Sequence, residues 1–248
     1  GRLLRQWITQ PLLDRAELER RQWAVQVCLD TPVQRAALRQ TLHGLGDLAR
    51  LCSRVVQGIA RPRDLLGLQA SLERVSLLQQ AVAALLAESQ IPGTPEQYPL
   101  APDALDPCVE AVTWIREAIV DDPPALLSGG RVIKPGYSRE RDGIDASVAE
   151  AQRWVAGLEA AERARTGIKS LKVGFNKVFG YYIEITRANS DAVPPEYIRK
   201  QTLVNAERYI TPELKERESL ILHAQDRAQE LEAELYGELL DRLRGLAG

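Results

Sequence analysis

The feature that most constrains this chain is a change of hydrophobic period. Up to residue 165, apolar side chains recur every three to four positions. Over residues 166–208 they recur every second position, and the helical spacing resumes at Pro212. Three-to-four spacing gives a helix one buried stripe, whereas strict alternation gives a strand one buried face. Leu171, Val173 and Phe175 alternate with Ser170, Lys172 and Gly174, and Tyr181, Ile183 and Ile185 with Tyr182, Glu184 and Thr186. These runs predict half-buried antiparallel strands, and QTLVNAERY (201–209) is read as a third. The fold class is therefore mainly α with a small inserted β domain, in which long antiparallel helices carry an antiparallel sheet. Residues 1–165 and 209–248 are assigned to one discontinuous helical domain and residues 166–208 to the β-rich insert.

The helices have legible starts and stops. Asp14 and Glu17 form a capping-box pattern that opens a helix to about residue 28, with Leu18, Trp23 and Val27 as core candidates. Thr31-Pro32 reads as an N-cap followed by the first helical residue. Gly44 and Gly46 interrupt that helix, and Asp47 caps its continuation to Gln57. A single amphipathic helix is predicted over residues 63–88 from Leu65, Leu68, Leu72, Val75, Val82 and Leu86. Residues 91–107 hold five of the fourteen prolines and read as a loop, followed by a helix over 107–120. Ser128-Gly129-Gly130 carries a short β-hairpin signal. Helices are expected again over 138–165, with Val148, Ala151, Val155 and Leu158 inward, and over 212–246.

Charge sets the insert apart. Between Arg163 and Arg208 there are nine Lys and Arg against four acids, a balance of +5, whereas the whole chain is −2 and the remainder is thus −7. A basic segment on an acidic body points to a polyanion, of which nucleic acid is the usual one. The rival reading is a helical interaction scaffold whose β tip binds a protein partner. Charged runs along the flanking helices (ERAR, LKERE, DRAQELEAE) read as solvated faces.

Other chemistries find little support. No apolar run approaches the roughly 18 residues that span a bilayer, and no leader pattern opens the chain. Lacking Met and starting at Gly1, the sequence reads as an excised piece of a longer protein. Its three cysteines (Cys28, Cys52, Cys108) form no C-x-x-C pair and are expected to be buried, reduced thiols of a cytoplasmic protein. His43 and His223 stand alone, so no metal site is expected. Gly167-Ile168-Lys169-Ser170 mimics the tail of a phosphate-binding loop, but Glu162 stands where that motif needs its first Gly. Asp121-Asp122 precedes Pro-Pro and reads as a loop, and no nucleophile motif occurs. No catalytic residue is expected. Tyr181 and Tyr182 read as core or strand-pairing residues, and the spaced aromatics of single-strand binders are missing.

The runs SLKVGFNKVFGYYIEIT and YIRKQTLVNAERYITPELKE resemble the clamp domain of the bacterial MutS mismatch-repair family. GRLLRQWITQPLLD and ARPRDLLGL (60–68) resemble that family's core, or connector and lever, region, so the likeness spans the chain. It implies a module that grips the phosphate backbone of double-stranded DNA without reading sequence. Asn176 and Lys177 fall in the first strand-connecting loop, Asn205 in a later block, and Arg199 and Lys200 supply neighbouring charge. The resemblance also leads one to expect a Lys where this chain has Val204, so the implied site is weaker by one charge. The resemblance further implies a parent protein that is a homodimer, binds ATP and Mg in an ATPase beyond Gly248, and works with the repair factor MutL. Mismatch reading, through a Phe-x-Glu motif, would lie before Gly1. The piece itself is expected to hold no cofactor.

Overall fold

The computed structural model describes residues 2–89, 101–176 and 178–246, and of Arg2 only the backbone. Nine α-helices and four strands are assigned among these residues. The chain divides into two compact units, residues 1–132 with 237–248, and residues 133–236.

The first unit contains α1 (Arg2–Thr9), α2 (Arg15–Asp30), α3 (Pro32–His43), α4 (Leu48–Val56), α5 (Pro62–Glu73), α6 (Val75–Glu88) and α7 (Val109–Ala118). It ends with the C-terminal part of α9 (Pro212–Gly245). Asp14 caps α2 by accepting from the amides of Ala16 and Glu17, and Asp47 caps α4 by accepting from Arg50. Thr31 occupies the position before α3, but its hydroxyl donates back to the Val27 carbonyl and so serves the end of α2. The stripe read as one helix over 63–88 is two helices, α5 and α6, with Arg74 between them. The stripe itself persists over Leu65, Leu68, Leu72, Val75 and Val82, all buried, but at its end Leu85 is buried and the expected Leu86 only half-buried. Of the core candidates on α2 only Val27 is fully buried; Trp23 is half-buried and Leu18 exposed.

Two further expectations are corrected. The hairpin signal at Ser128-Gly130 is a 3-10 turn over Leu127–Gly129. The cysteines are not core residues: Cys52 is exposed and Cys28 and Cys108 are half-buried, all as free thiols. Burial pushes the Cys108 thiol above its ordinary range. The first part of the expected 91–107 loop lies outside the described residues; from 101 onward it includes a 3-10 turn, Pro102–Ala104.

The second unit pairs α8 (Arg139–Thr166) with the first part of α9 and carries the sheet. The two helices run antiparallel, with Arg141 bonded to Glu232 near one end and Arg217 over the Trp154 ring further along. Their 28 and 34 residues amount to about 42 and 51 Å at roughly 1.5 Å per residue. Ser138 caps α8 by accepting from the Arg141 amide. Gly167 closes it in the left-handed region (φ 73°), so the segment that imitates a phosphate loop is a helix C-cap.

The sheet has strand order β1-β2-β4-β3, all antiparallel: β1 (Lys172–Asn176), β2 (Gly180–Thr186), β3 (Ile198–Thr202) and β4 (Ala206–Ile210). QTLVNAERY is therefore a hairpin rather than a single strand, with Val204 and Asn205 at its turn and the Leu203 amide donating to the Ala206 carbonyl. Ile183, Ile185 and Tyr209 form the inner face with Leu171, against Val155 and Leu158 of α8 and Leu214 and Ile221 of α9. A segment of about 40 residues rarely builds a sufficient core alone. Leu171, Ile183, Ile185 and Leu214, each 0–1% exposed, contribute about 1.5–3 kcal/mol apiece on burial. Phe175 continues the alternation but is exposed, its ring tilted against that of Tyr181 with centroids 4.9 Å apart.

Candidate nucleic-acid interface

Antiparallel pairing puts the two hairpin turns at opposite ends of the sheet. The β1–β2 turn lies where β2 begins, and the β3–β4 turn lies beside Thr186, where β2 ends. Six residue steps along β2 separate them, about 20 Å at roughly 3.3 Å per residue. Asn176 thus stands at one end and Asn205 at the other.

Asn176 shapes its own turn. Its side-chain oxygen accepts from the amides of Val178 (2.8 Å) and Phe179 (3.3 Å), leaving the amide nitrogen as the part able to donate to an anion. Lys177, next to it, lies outside the described residues. Gly180 ends the turn with φ 78°, and a Cβ there would fall inside the carboxylate of buried Glu218. Gly180→Ala is expected to destabilise the chain by about 3 kcal/mol, combining left-handed strain of ~1–2 with overpacking of ~1–3 kcal/mol. Urea titration checks this, and adding Glu218→Ala should recover the overpacking part. A loss below about 1 kcal/mol would show that the turn is loose.

Arg199 is exposed on β3 but donates to Glu207 at 3.2 Å. The Tyr209 hydroxyl also bonds Glu207 and, with Arg199 beside it, holds that carboxyl below the usual range. Burial and the Glu207 bond push the Tyr209 phenol up to about 12. Lys200 differs from its neighbour. The strand register slips between Arg199 (opposite Tyr209) and Gln201 (opposite Arg208), so Lys200 sits in a bulge without a cross-strand partner. It is exposed and forms no ion pair among the described residues. Asn205 is exposed in its turn, and its carbonyl accepts from the Arg187 amide at 3.1 Å. Beside it Val204 is 84% exposed.

The +5 balance is redistributed by contacts. Arg163 pairs with Glu159, Arg165 with Glu162 and Glu196, Arg199 with Glu207, and Arg208 with Glu184. Lys169, Lys172, Arg187 and Lys200 are exposed and without an ion pair among the described residues. Arg187 adjoins Asn205, so a cation without an ion pair among the described residues and a side-chain amide stand together at this turn.

Lys200 also borders a cavity of about 230 Å³ on the outer face, with Val178, Phe179, Tyr182, Gln201, Arg208, Ile210 and Lys215. Tyr182, Arg208 and Lys215 were not candidates from sequence. Strand alternation does place Tyr182 on the face opposite Ile183, but nothing in the sequence brings Lys215 of α9 there. The Arg208 guanidinium lies 4.2 Å from the Tyr182 ring centre, fixed by Glu184 (2.9 Å) and Gln201 (3.1 Å). Tyr182 also reaches over Gly174, where a Cβ would come within 2.7 Å of its ring.

Residues 136–227, nearly the whole second unit, match the family model described as MutS family domain IV. The chain is 46% identical to the DNA mismatch repair protein MutS of Pelotomaculum thermopropionicum over 99% of its length. It is likewise 46% identical to those of Salinibacter ruber (100% of the chain) and Geobacillus kaustophilus (98%). It spans 26–28% of the length of these relatives. The family-model match over residues 136–227, together with 46% identity along nearly the whole chain, places the protein in the MutS family.

Proposed function

We propose that this chain is the lever and clamp part of a mismatch-repair protein, whose sheet grips the phosphate backbone of duplex DNA without reading sequence. The observation that carries the proposal is a set of exposed cations without an ion pair among the described residues: Lys172 on β1, Lys200 on β3, and Arg187 just after β2, where it adjoins Asn205. Amides and cations of this kind hold phosphate oxygens but carry no base information. A duplex running along β2 would meet both turns, since 20 Å is about six base pairs at roughly 3.4 Å each. In this reading residues 166–208 are the clamp, while residues 1–165 and 209–248 couple it to an ATPase in the parent. The parent is then a homodimer that uses ATP and Mg and engages MutL, while this segment catalyses nothing and works in the cytoplasm. No helix among the described residues is long and apolar enough to cross a membrane.

A contact that holds only backbone should be weak, with Kd about 10⁻⁴–10⁻⁶ M at physiological salt. Fluorescence anisotropy with matched and mismatched duplexes should give values within a few-fold of each other. Tenfold preference for the mismatch would place mismatch reading in this segment and overturn that part of the proposal. The second reading, a tip that binds protein, draws on exposed Val178, Phe179 and Val204. Salt separates the two, because phosphate binding weakens steeply as salt rises and apolar contact does not.

A further inference from the structure

The cavity on the outer face of the sheet has a composition that duplex backbone does not require. Phosphates call for cations and amides, yet this cavity is walled by Val178, Phe179, Tyr182 and Ile210, with Lys200, Arg208, Gln201 and Lys215 around them. Val178 is 81% and Phe179 51% exposed, so two apolar side chains are held in water at the rim. The basic groups are not equivalent. Arg208 is tied to Glu184 and Gln201, Lys215 bonds Glu218 at 3.1 Å, and Lys200 forms no ion pair among the described residues. Gln201 uses its oxygen on Arg208, which leaves its amide nitrogen to donate.

Those groups suit a flat, partly apolar ligand with one anionic end. At about 230 Å³ the space falls below the roughly 300–1,000 Å³ of drug-sized pockets, which limits it to one ring system with its substituent. A base in a duplex has both faces covered by its neighbours, whereas an unpaired base offers a face to aromatic rings and guanidinium planes. Arg208, whose guanidinium carbon lies 4.2 Å from the Tyr182 ring centre, offers such a plane. We infer that this cavity takes one unpaired nucleotide of a single strand, with its base between Phe179 and the Arg208–Tyr182 pair and its phosphate on Lys200. The inference rests on the reading that the sheet binds DNA. It adds a preference for DNA in which duplex gives way to single strand, as at an overhang or gap.

The test uses the whole 248-residue chain and three labelled DNAs: a blunt duplex, the same duplex with an oligothymidylate overhang of about ten nucleotides, and that oligothymidylate alone. The overhang should bind about tenfold more tightly than the blunt duplex, because stacking of one base on an aromatic side chain amounts to roughly 5–150-fold in affinity. Phe179→Leu keeps an apolar side chain but removes the ring, and should abolish that gain while leaving blunt-duplex binding unchanged. Lys200→Gln, at an exposed position that does not shape the fold, should halve the gain or more. Blunt duplex bound without an overhang gain refutes the nucleotide site and leaves the backbone proposal standing. If none of the three DNAs binds, the backbone proposal falls first. Equal losses on blunt and overhung DNA in Phe179→Leu would make the ring a general support of the sheet, and the inference fails. It fails too if an acidic peptide with aromatic residues binds in a Phe179-dependent way while the oligothymidylate does not.

Discussion

Glu232→Ala is expected to lower stability by about 3–5 kcal/mol, because it breaks a buried ion pair by removing one partner. The Arg141 and Glu232 side chains are only 9% and 4% exposed. One Glu232 oxygen accepts from Arg141 Nε at 3.2 Å and the other from the Ile133 amide at 2.9 Å. The substitution takes away the counter-charge of a largely buried guanidinium, and Asp145 one turn along α8 remains as its ion-pair partner. That remaining partner puts the expected loss near the lower bound. Glu232→Gln keeps an acceptor for Ile133 and should cost less, about 1–3 kcal/mol for a charged hydrogen bond made neutral. Urea titration, followed through the four tryptophans, gives both values. A loss under about 1 kcal/mol for Glu232→Ala would mean that the pair is solvated and does not fasten α8 to α9.

The second large effect is on salt dependence. Each phosphate contact contributes about 0.9 to the slope of log K against log salt. Replacing Lys177, Arg199 and Lys200 together with Ala would lower the slope by about 2.7 if all three hold phosphates. Arg199, however, is bonded to a Glu207 that stays ionised, so the expected fall is about 1.8, from the two lysines. A matched change on the helices, Arg227, Arg242 and Arg244 to Ala, should leave the slope unchanged. Arg227 is held by Glu140 and Glu234, Arg244 by Asp241, and Arg242 lies over Trp114. If the helix triple lowers the slope and the sheet triple does not, DNA runs along the helices and the proposed clamp is misplaced.

How much of this was readable in the sequence depends on range. Features set by neighbours two to four residues apart were legible: the caps at Asp14 and Asp47, the stripe from Leu65 to Val82, and the alternation around Ile183. The break at Arg74 was not, because no Gly or Pro marks it and the stripe continues through it. Nor was the β3–β4 turn, whose Val204-Asn205 lacks the glycine that usually marks a two-residue hairpin. The charge count failed for a different reason. A window opening at Arg163 leaves out Glu159 and Glu162, the acids that pair with Arg163 and Arg165 one helical turn back. The cavity was out of reach because it draws on β2, β3, β4 and α9 at once, and composition within any one of them does not show it.

The pairing of α8 with α9 differs along its length: an ion pair closes it at Arg141 and Glu232, and an apolar cluster closes it at Val155, Leu158, Leu214 and Ile221. Both closures weaken on cooling, by different routes. Apolar attachment fades as water cools, and the desolvation penalty of an ion pair grows. On warming, apolar attachment levels off while that penalty goes on shrinking. Heat therefore shifts the fastening of the two helices toward the charged end, and cold loosens both ends together.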